Sequence, residues 1–290
     1  MNVETNIKII KKRFAPILFE IKNNKLSLIG IIMVSFIILV AIFAPAIARY
    51  GPYDQFPDHR LEPPSSKFLF GTDDLGRDVF SRVIYGTRIS LKIGLTVVIL
   101  AMGIGAPLGA IAGYFGGKID DIIMRISDVF LGFPPLLLAI AIAFVLGPNI
   151  MNAMIAISAT WWPWYTRLVH GQAMALKEQN FVKAARSIGV SGIRIVIRHI
   201  LPNCIGPIIV QGTLDMGYTI LTATSLSFIG VGAQSPLPEW GLMISTGRIY
   251  YLYQPWIALF PGIAIFLLVL SFNLMGDSFR DILDPTLRGR

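Results

Sequence analysis

The sequence predicts an all-α membrane protein with six transmembrane helices, and three observations carry that prediction. With 54% hydrophobic and only 14% charged residues over 290 positions, at a mean hydropathy of +0.66, the chain has too little charge to clothe a soluble globule of its size. Charge-free runs of membrane-spanning length recur along it. The Lys and Arg residues behind its net charge of +8 gather beside those runs, as they do on cytoplasmic flanks of membrane helices, and leave no compact basic domain for nucleic acid. One cysteine, Cys204, excludes an internal disulfide. His59, His170 and His199 lack zinc-site spacing, so neither a metal site nor metal chemistry is expected.

The first 25 residues are basic, with Lys8, Lys11, Lys12, Arg13, Lys22 and Lys25. Leu26 to Ala48 then carries no charge and reads as the first span. It is longer than the apolar region of a signal peptide, which favours a membrane span. The positive-inside rule puts the N-terminus in the cytoplasm. Residues 1–48 thus form a cytoplasmic N-terminus with one helix, and 49–88 an extracytoplasmic segment kept irregular at first by Pro52, Pro57, Pro63 and Pro64. From Thr72, a candidate N-cap, Leu75, Val79, Phe80, Val83 and Ile84 recur at helical spacing, with Asp74, Arg77, Asp78 and Arg82 expected on the outer face.

Residues 89–290 supply five more spans. Ile93 to Gly117 is the second. Gly116-Gly117-Lys118 is not a phosphate-binding loop, because Ala112 and Ile119 occupy two diagnostic positions. Val129 to Thr166 is charge-free over roughly 57 Å of helix at ~1.5 Å per residue, too long for a hydrocarbon core of roughly 30 Å, so it must be two helices. Gly147-Pro148-Asn149 is the turn between them. Trp161, Trp162, Trp164 and Tyr165 read as an interfacial aromatic anchor rather than a stacking cage, with Pro163 as a kink. Ile205 to Gly232 is the fifth span and Ile257 to Gly276 the sixth, with 233–255 outside the membrane between them.

The fifth span holds the one acidic side chain deep in an apolar run, Asp215. Gln211, Asp215, Thr219 and Thr222 fall at i, i+4, i+8 and i+11, a polar stripe too costly to face lipid. A translocation path and hydrogen bonding inside a tight bundle explain it equally well.

The cytoplasmic loop 171–204 is the polar island of the chain. Phe181, Ala184, Ala185 and Ile188 share one face of a short helix. Gly189 supplies a left-handed C-cap and Ser191 a candidate N-cap for a second helix, whose stripe is Ile193, Val196, Ile197, Ile200 and Leu201. Pro202 is expected to end that helix. Lys183, Arg186, Arg194 and Arg198 lie on the polar sides, which also fits a pair of interfacial helices resting on anionic lipid.

The pattern A-A-x3-G followed by L-P resembles the EAA loop of membrane subunits of bacterial ATP-binding-cassette importers. Lys183 stands where that family often has glutamate, and His199 where it often has isoleucine. The segments R-H-I-L-P-N, F-G-T-D-D-L-G-R-D-V-F-S-R, S-L-S-F-I-G-V-G, P-E-W-G-L-M and N-L-M-G-D-S-F-R-D-I-L-D-P are similar to the dipeptide, oligopeptide and nickel permease branch. The resemblance runs from Asn24 onward. It implies the type I importer (MetI-like) permease fold, in the bacterial cytoplasmic membrane with both termini inside. The chain would be half of a pore, paired with a second homologous permease, with two ATPase subunits below and an extracytoplasmic substrate-binding protein above. No cofactor or catalytic residue is implied for this chain; ATP and Mg would sit on the ATPases. The coupling residues implied are Phe181, Ala184, Ala185, Arg186, Ile188, Gly189, Arg194, Leu201 and Pro202. The cargo implied is a di- or oligopeptide, with nickel or a metal chelate as the alternative. A secondary transporter would show repeat symmetry and coupling-ion ligands, and a membrane scaffold would not need the paired amphipathic helices.

Overall fold

The computed structural model describes residues 25–283, all of whose regular elements are helical. The basic residues before Lys25 and the final D-P of the C-terminal motif lie outside the described residues. The first span is α1 (Lys25–Ile42), followed after Phe43 by the single turn α2 (Ala44–Ile47), with Pro45 in its first turn where no N–H is needed.

Residues 49–78 fold into an irregular cap around Phe68, which is fully buried against the rings of Tyr50, Phe56 and His59. The helix that follows starts later than the sequence suggested. Asp78, not Thr72, is its N-cap: Ser81 donates to Asp78 Oδ2 from both its backbone N (2.8 Å) and its hydroxyl (2.6 Å). Thr72 is taken up by the cap instead, where its hydroxyl donates to His59 O and accepts from Glu62 N. Burial pushes the Asp78 carboxyl up, against the lowering effect of the Ser81 bonds.

Of the charged residues expected on the outer face here, Asp74 is half-buried and the other three are buried. Arg77, Asp78 and Arg82 are each at most 5% exposed. Arg77 Nε donates to Asp73 Oδ2 at 2.7 Å. Arg82 donates to the carbonyls of Pro52 (2.9 Å), Pro236 (3.3 Å) and Leu237 (3.3 Å), so one guanidinium ties the cap to a loop more than 150 residues away. Its planar fork reaches several carbonyls at once, which an ammonium on a single stem does not. Removing a partner from a buried charged network costs about 3–5 kcal/mol. Arg82→Ala is therefore expected to raise hydrogen exchange and proteolysis across 49–78 and 233–239, with Arg82→Lys intermediate; unchanged protection in both variants would contradict this role.

The long helix α3 (Val79–Phe115) is the axis of the molecule. Its 37 residues span roughly 55 Å at ~1.5 Å per residue, so the expected second span and the helical end of the cap are one continuous rod. Residues of α3 belong to every major apolar cluster. It lies closest to α6 (Ile150–Lys177) along Gly105, Gly109 and Gly113, where an added Cβ would come within 2.2 Å of Trp162 O, 2.3 Å of Thr166 O and 2.6 Å of His170 O. Small residues at that spacing let two membrane helices touch backbone to backbone.

Between them stand α4 (Gly117–Leu131) and α5 (Pro135–Leu146), bent by 89° at Gly132 to Pro134. The turn at Gly147 to Asn149 is where the sequence placed it, with Asn149 capping α6 through Met151 N at 2.8 Å. Helix α6 runs unbroken through Pro163. After the loop come α7 (Asn180–Ser187), α8 (Gly192–Ile195), α9 (Leu201–Ile229), α10 (Trp240–Gly247) and α11 (Trp256–Leu283). Trp240 Nε1 donates to Val83 O and Trp256 Nε1 to Thr72 O, which fastens the α9–α11 connection to α3 and to the cap.

By length and composition four helices among the described residues can cross a membrane, or five if the bent pair is one span. Helix α6 has the length, at 28 residues, but carries Arg167, His170, Gln172 and Lys177 in its last turns. Six spans are compatible with this architecture.

Candidate functional site

At the end of α3 opposite the cap, the 180–201 stretch forms a fixed projection. Helix α7 stops in a Schellman motif: Val190 N donates to Ala185 O (3.1 Å) and Gly189 N to Arg186 O (3.1 Å). Gly189 sits at φ 81°, the left-handed region expected of it. Ser191 holds the N-cap position with an extended backbone, and its carbonyl accepts from Ile195 N, but its side chain makes no capping bond.

Pro202 does not end the second helix. Val196–Ile200 forms a π-helical turn in which Leu201 N reaches back to Val196 O, and the helix runs on from Gly192 to Ile229. A proline inside an α-helix lacks its N–H and clashes with the carbonyl four residues back. Widening the turn by one residue before Pro202 removes both demands. The loop is thereby an extension of α9.

The apolar arcs read from the sequence are divided between two surfaces. Val182, Ala185, Ile195, Val196 and Ile200 are buried against Tyr114 of α3 and Val169 and Ala173 of α6, with Leu201 half-buried beside them. Phe181, Ala184, Ile188, Ile193 and Ile197 face outward, Ile188 at 81% exposure. The expected face of Phe181, Ala184, Ala185 and Ile188 is thus corrected at Ala185, which packs on its own chain. Arg186, Arg194 and Arg198 are exposed around this apolar patch, and no carboxylate among the described residues pairs with them. Lys183 pairs with Glu178 at 3.0 Å and holds that exposed carboxyl below the usual range. The result is an apolar knob with a basic rim, joined through its inner side to α3, α6 and α9.

The polar stripe of α9 is buried except at Gln211, which is half-buried. Asp215 and Thr219 are at most 5% exposed and Thr222 is buried. Gln211 Nε2 donates to Asp215 Oδ1 at 2.9 Å, while Thr219 and Thr222 donate to carbonyls of their own helix. Asp215 Oδ2 has no hydrogen-bond partner. Opposite it, the Tyr165 hydroxyl and Trp161 Nε1 of α6 are buried and turned toward the carboxylate without closing a bond of good geometry. Trp161 stacks on Tyr218 of α9 with ring centroids 4.4 Å apart. Two members of the expected aromatic anchor therefore belong to the inside of the bundle. Their i, i+4 spacing, which puts Trp161 and Tyr165 on one helix face, was the available signal.

The chain is similar to known proteins over most of its length. Residues 105–289 match the family described as binding-protein-dependent transport system inner membrane component, and residues 16–64 match the N-terminal TM domain of oligopeptide transport permease C. It is 48% identical over 269 residues to the dipeptide transport system permease protein DppC of Alkalihalophilus pseudofirmus, covering 93% of this chain and 88% of that protein. It is 44% identical to the probable D,D-dipeptide transport system permease protein DdpC of Escherichia coli K12, covering 95% and 93%. It is 46% identical to the glutathione transport system permease protein GsiD of Escherichia coli O6:K15:H31, covering 92% and 89%. Among solved structures it resembles a chain of the MetNI methionine ABC transporter in an inward-facing conformation, with a TM-score of 0.56 over 69% of this chain and 96% of that one. At 18% identity that likeness is one of fold.

Proposed function

This chain belongs to the inner-membrane components of binding-protein-dependent transport systems, and on that premise we propose that it forms half of the translocation pore of an ATP-driven importer of short peptides. The relatives named above are permeases for dipeptides, D,D-dipeptides and glutathione, which favours a peptide cargo over nickel or a metal chelate. Its partners are a second homologous permease, two ATP-hydrolysing subunits that carry ATP and Mg, and an extracytoplasmic binding protein that delivers the peptide. The chain lies in the cytoplasmic membrane with the 180–201 loop on the inner side and the 49–78 cap on the outer side.

The observation that carries this reading is the knob at 180–201. An apolar surface of Phe181, Ala184, Ile188, Ile193 and Ile197 with an unpaired basic rim fits a groove on a soluble partner. The inner side of the knob is packed on α6, and its second helix is continuous with α9. Closure of the ATPases would move the knob as one body and swing α6 against α9, where Asp215 faces Trp161 and Tyr165. The access state is then biased by differential contact at the knob.

The test is reconstitution in proteoliposomes with the partner subunits. Binding protein loaded with a di- or tripeptide is expected to accelerate ATP hydrolysis several-fold over unloaded binding protein and to drive peptide uptake. Acceleration by nickel-loaded protein alone would overturn the cargo, and hydrolysis indifferent to any binding protein would overturn the importer reading.

A further inference from the structure

Beside α11, away from both the knob and the polar stripe, an apolar groove of about 540 Å³ opens on the surface of the bundle. Its walls are Ile244 of α10 and Leu259, Ile263 and Phe266 of α11, and its floor passes Gly262. Ala258 to Phe266 covers roughly 12 Å at ~1.5 Å per residue, close to the depth of one leaflet in a hydrocarbon core of roughly 30 Å. At its mouth stand Arg248 and Tyr251, on the turn that joins α10 to α11. Tyr250, Tyr253 and Trp256 crowd the same end, the composition of a membrane–water interface.

Two features give the groove a chemistry. Arg248 is exposed, its guanidinium carbon lies 5.4 Å from the Phe228 ring centroid, and no carboxylate among the described residues pairs with it. A Cβ added at Gly262 would meet nothing within 4 Å, so the floor lies open along the chain path. A fixed cation at headgroup depth above an apolar trough one leaflet deep is complementary to one molecule that carries both a phosphate and a hydrocarbon chain. A protein helix seated there would have to supply a carboxylate or a free carbonyl to Arg248 at that same depth.

We propose that the groove between α10 and α11 holds an anionic phospholipid of the leaflet on the cap side, its phosphate at Arg248 and one acyl chain laid along Gly262. The lipid splints α10 to α11 beneath the loop that Arg82 and Trp256 fasten to the cap. An arginine near a bilayer surface favours an anionic headgroup by about fivefold, and each buried methylene of the chain adds to retention.

Native mass spectrometry tests this with the full chain, purified with the subunits it assembles with and released from nanodiscs of phosphatidylcholine containing phosphatidylglycerol. One phosphatidylglycerol is expected to remain bound. Arg248→Gln should cut its retention by roughly fivefold and erase the preference over phosphatidylcholine. Gly262→Leu should put a side chain into the trough, from a position where a Cβ meets nothing within 4 Å, and reduce retention to background, while Val145→Leu, at an exposed site on α5, should change nothing. Three results would overturn the proposal: equal retention of the two lipids by the unaltered protein, retention unaffected by Gly262→Leu, or loss of permease pairing in Gly262→Leu with the lipid still bound. The last would identify the groove as a protein interface.

Discussion

Ile188→Glu is expected to leave the permease folded in the membrane and to weaken attachment of the ATPase subunits by roughly 30-fold. Ile188 is the most exposed apolar residue of the knob, and it is tied into the loop through its backbone N–H, which a side-chain substitution leaves in place. Burying an unpaired carboxylate in a protein contact costs about 2 kcal/mol or more, which corresponds to that loss of affinity. Ala185→Asp should act by a different route. Ala185 is 7% exposed and packed with Val182, Tyr114 and Ala173, so a charge there disrupts the loop's seat and should make residues 178–200 protease-sensitive. Gly189→Val belongs with it, since a β-branched residue at φ 81° opposes the Schellman turn. Co-purification of the ATPases, peptide uptake per ATP and limited proteolysis separate the two routes. Normal attachment and coupling in Ile188→Glu would remove the outward face as the docking surface.

Why the sequence placed Ala185 on that face is a matter of helical geometry. At roughly 100° per residue, Phe181, Ala184, Ala185 and Ile188 span an arc of about 100°, with Ala185 at the edge nearest Val182. In a soluble protein the apolar arc faces the core. Here both sides of α7 meet apolar surface, its own bundle on one and an open face on the other, so periodicity finds the arc and cannot divide it. Gly189 was legible because a single backbone requirement, positive φ, selects glycine whatever surrounds it. The hairpin at Gly147 was legible for the same kind of reason, helix length against membrane thickness. Thr72 and Asp78 are both good N-caps, and local preference does not choose between them. The choice came from the cap, where Thr72 bonds to His59 and Glu62. Arg77 and Arg82 read as solvent-facing because charge ordinarily is. The carbonyls that bury Arg82 lie at Pro236 and Leu237, and no local pattern reports contacts at that separation. The π turn before Pro202 escaped because a proline at a helix start and a proline after a widened turn look alike in sequence.

Asp215→Leu is expected to reduce the yield of assembled complex, while Asp215→Asn keeps the yield and loses transport. The carboxylate accepts from Gln211 on one oxygen and offers the other, unpaired, toward Tyr165 and Trp161. Leucine would leave the Gln211 amide without its acceptor, at about 1–3 kcal/mol for a buried group so stranded, and would remove the oxygen toward which Tyr165 and Trp161 turn. Asparagine retains a carbonyl for Gln211 and is nearly isosteric, so the α6–α9 contact survives without its charge. If the charged oxygen is what Tyr165 and Trp161 grip when α6 and α9 change places, a bond worth about 1.5–3 kcal/mol in one access state is weakened. Uptake per ATP should then fall by roughly tenfold or more. Tyr165→Phe removes the opposing hydroxyl and should reproduce much of the Asp215→Asn defect, with little added by combining the two. Normal uptake in Asp215→Asn together with lost assembly in Asp215→Leu would assign the stripe to packing of the bundle. Wild-type uptake and assembly in both variants would remove Asp215 from the mechanism altogether.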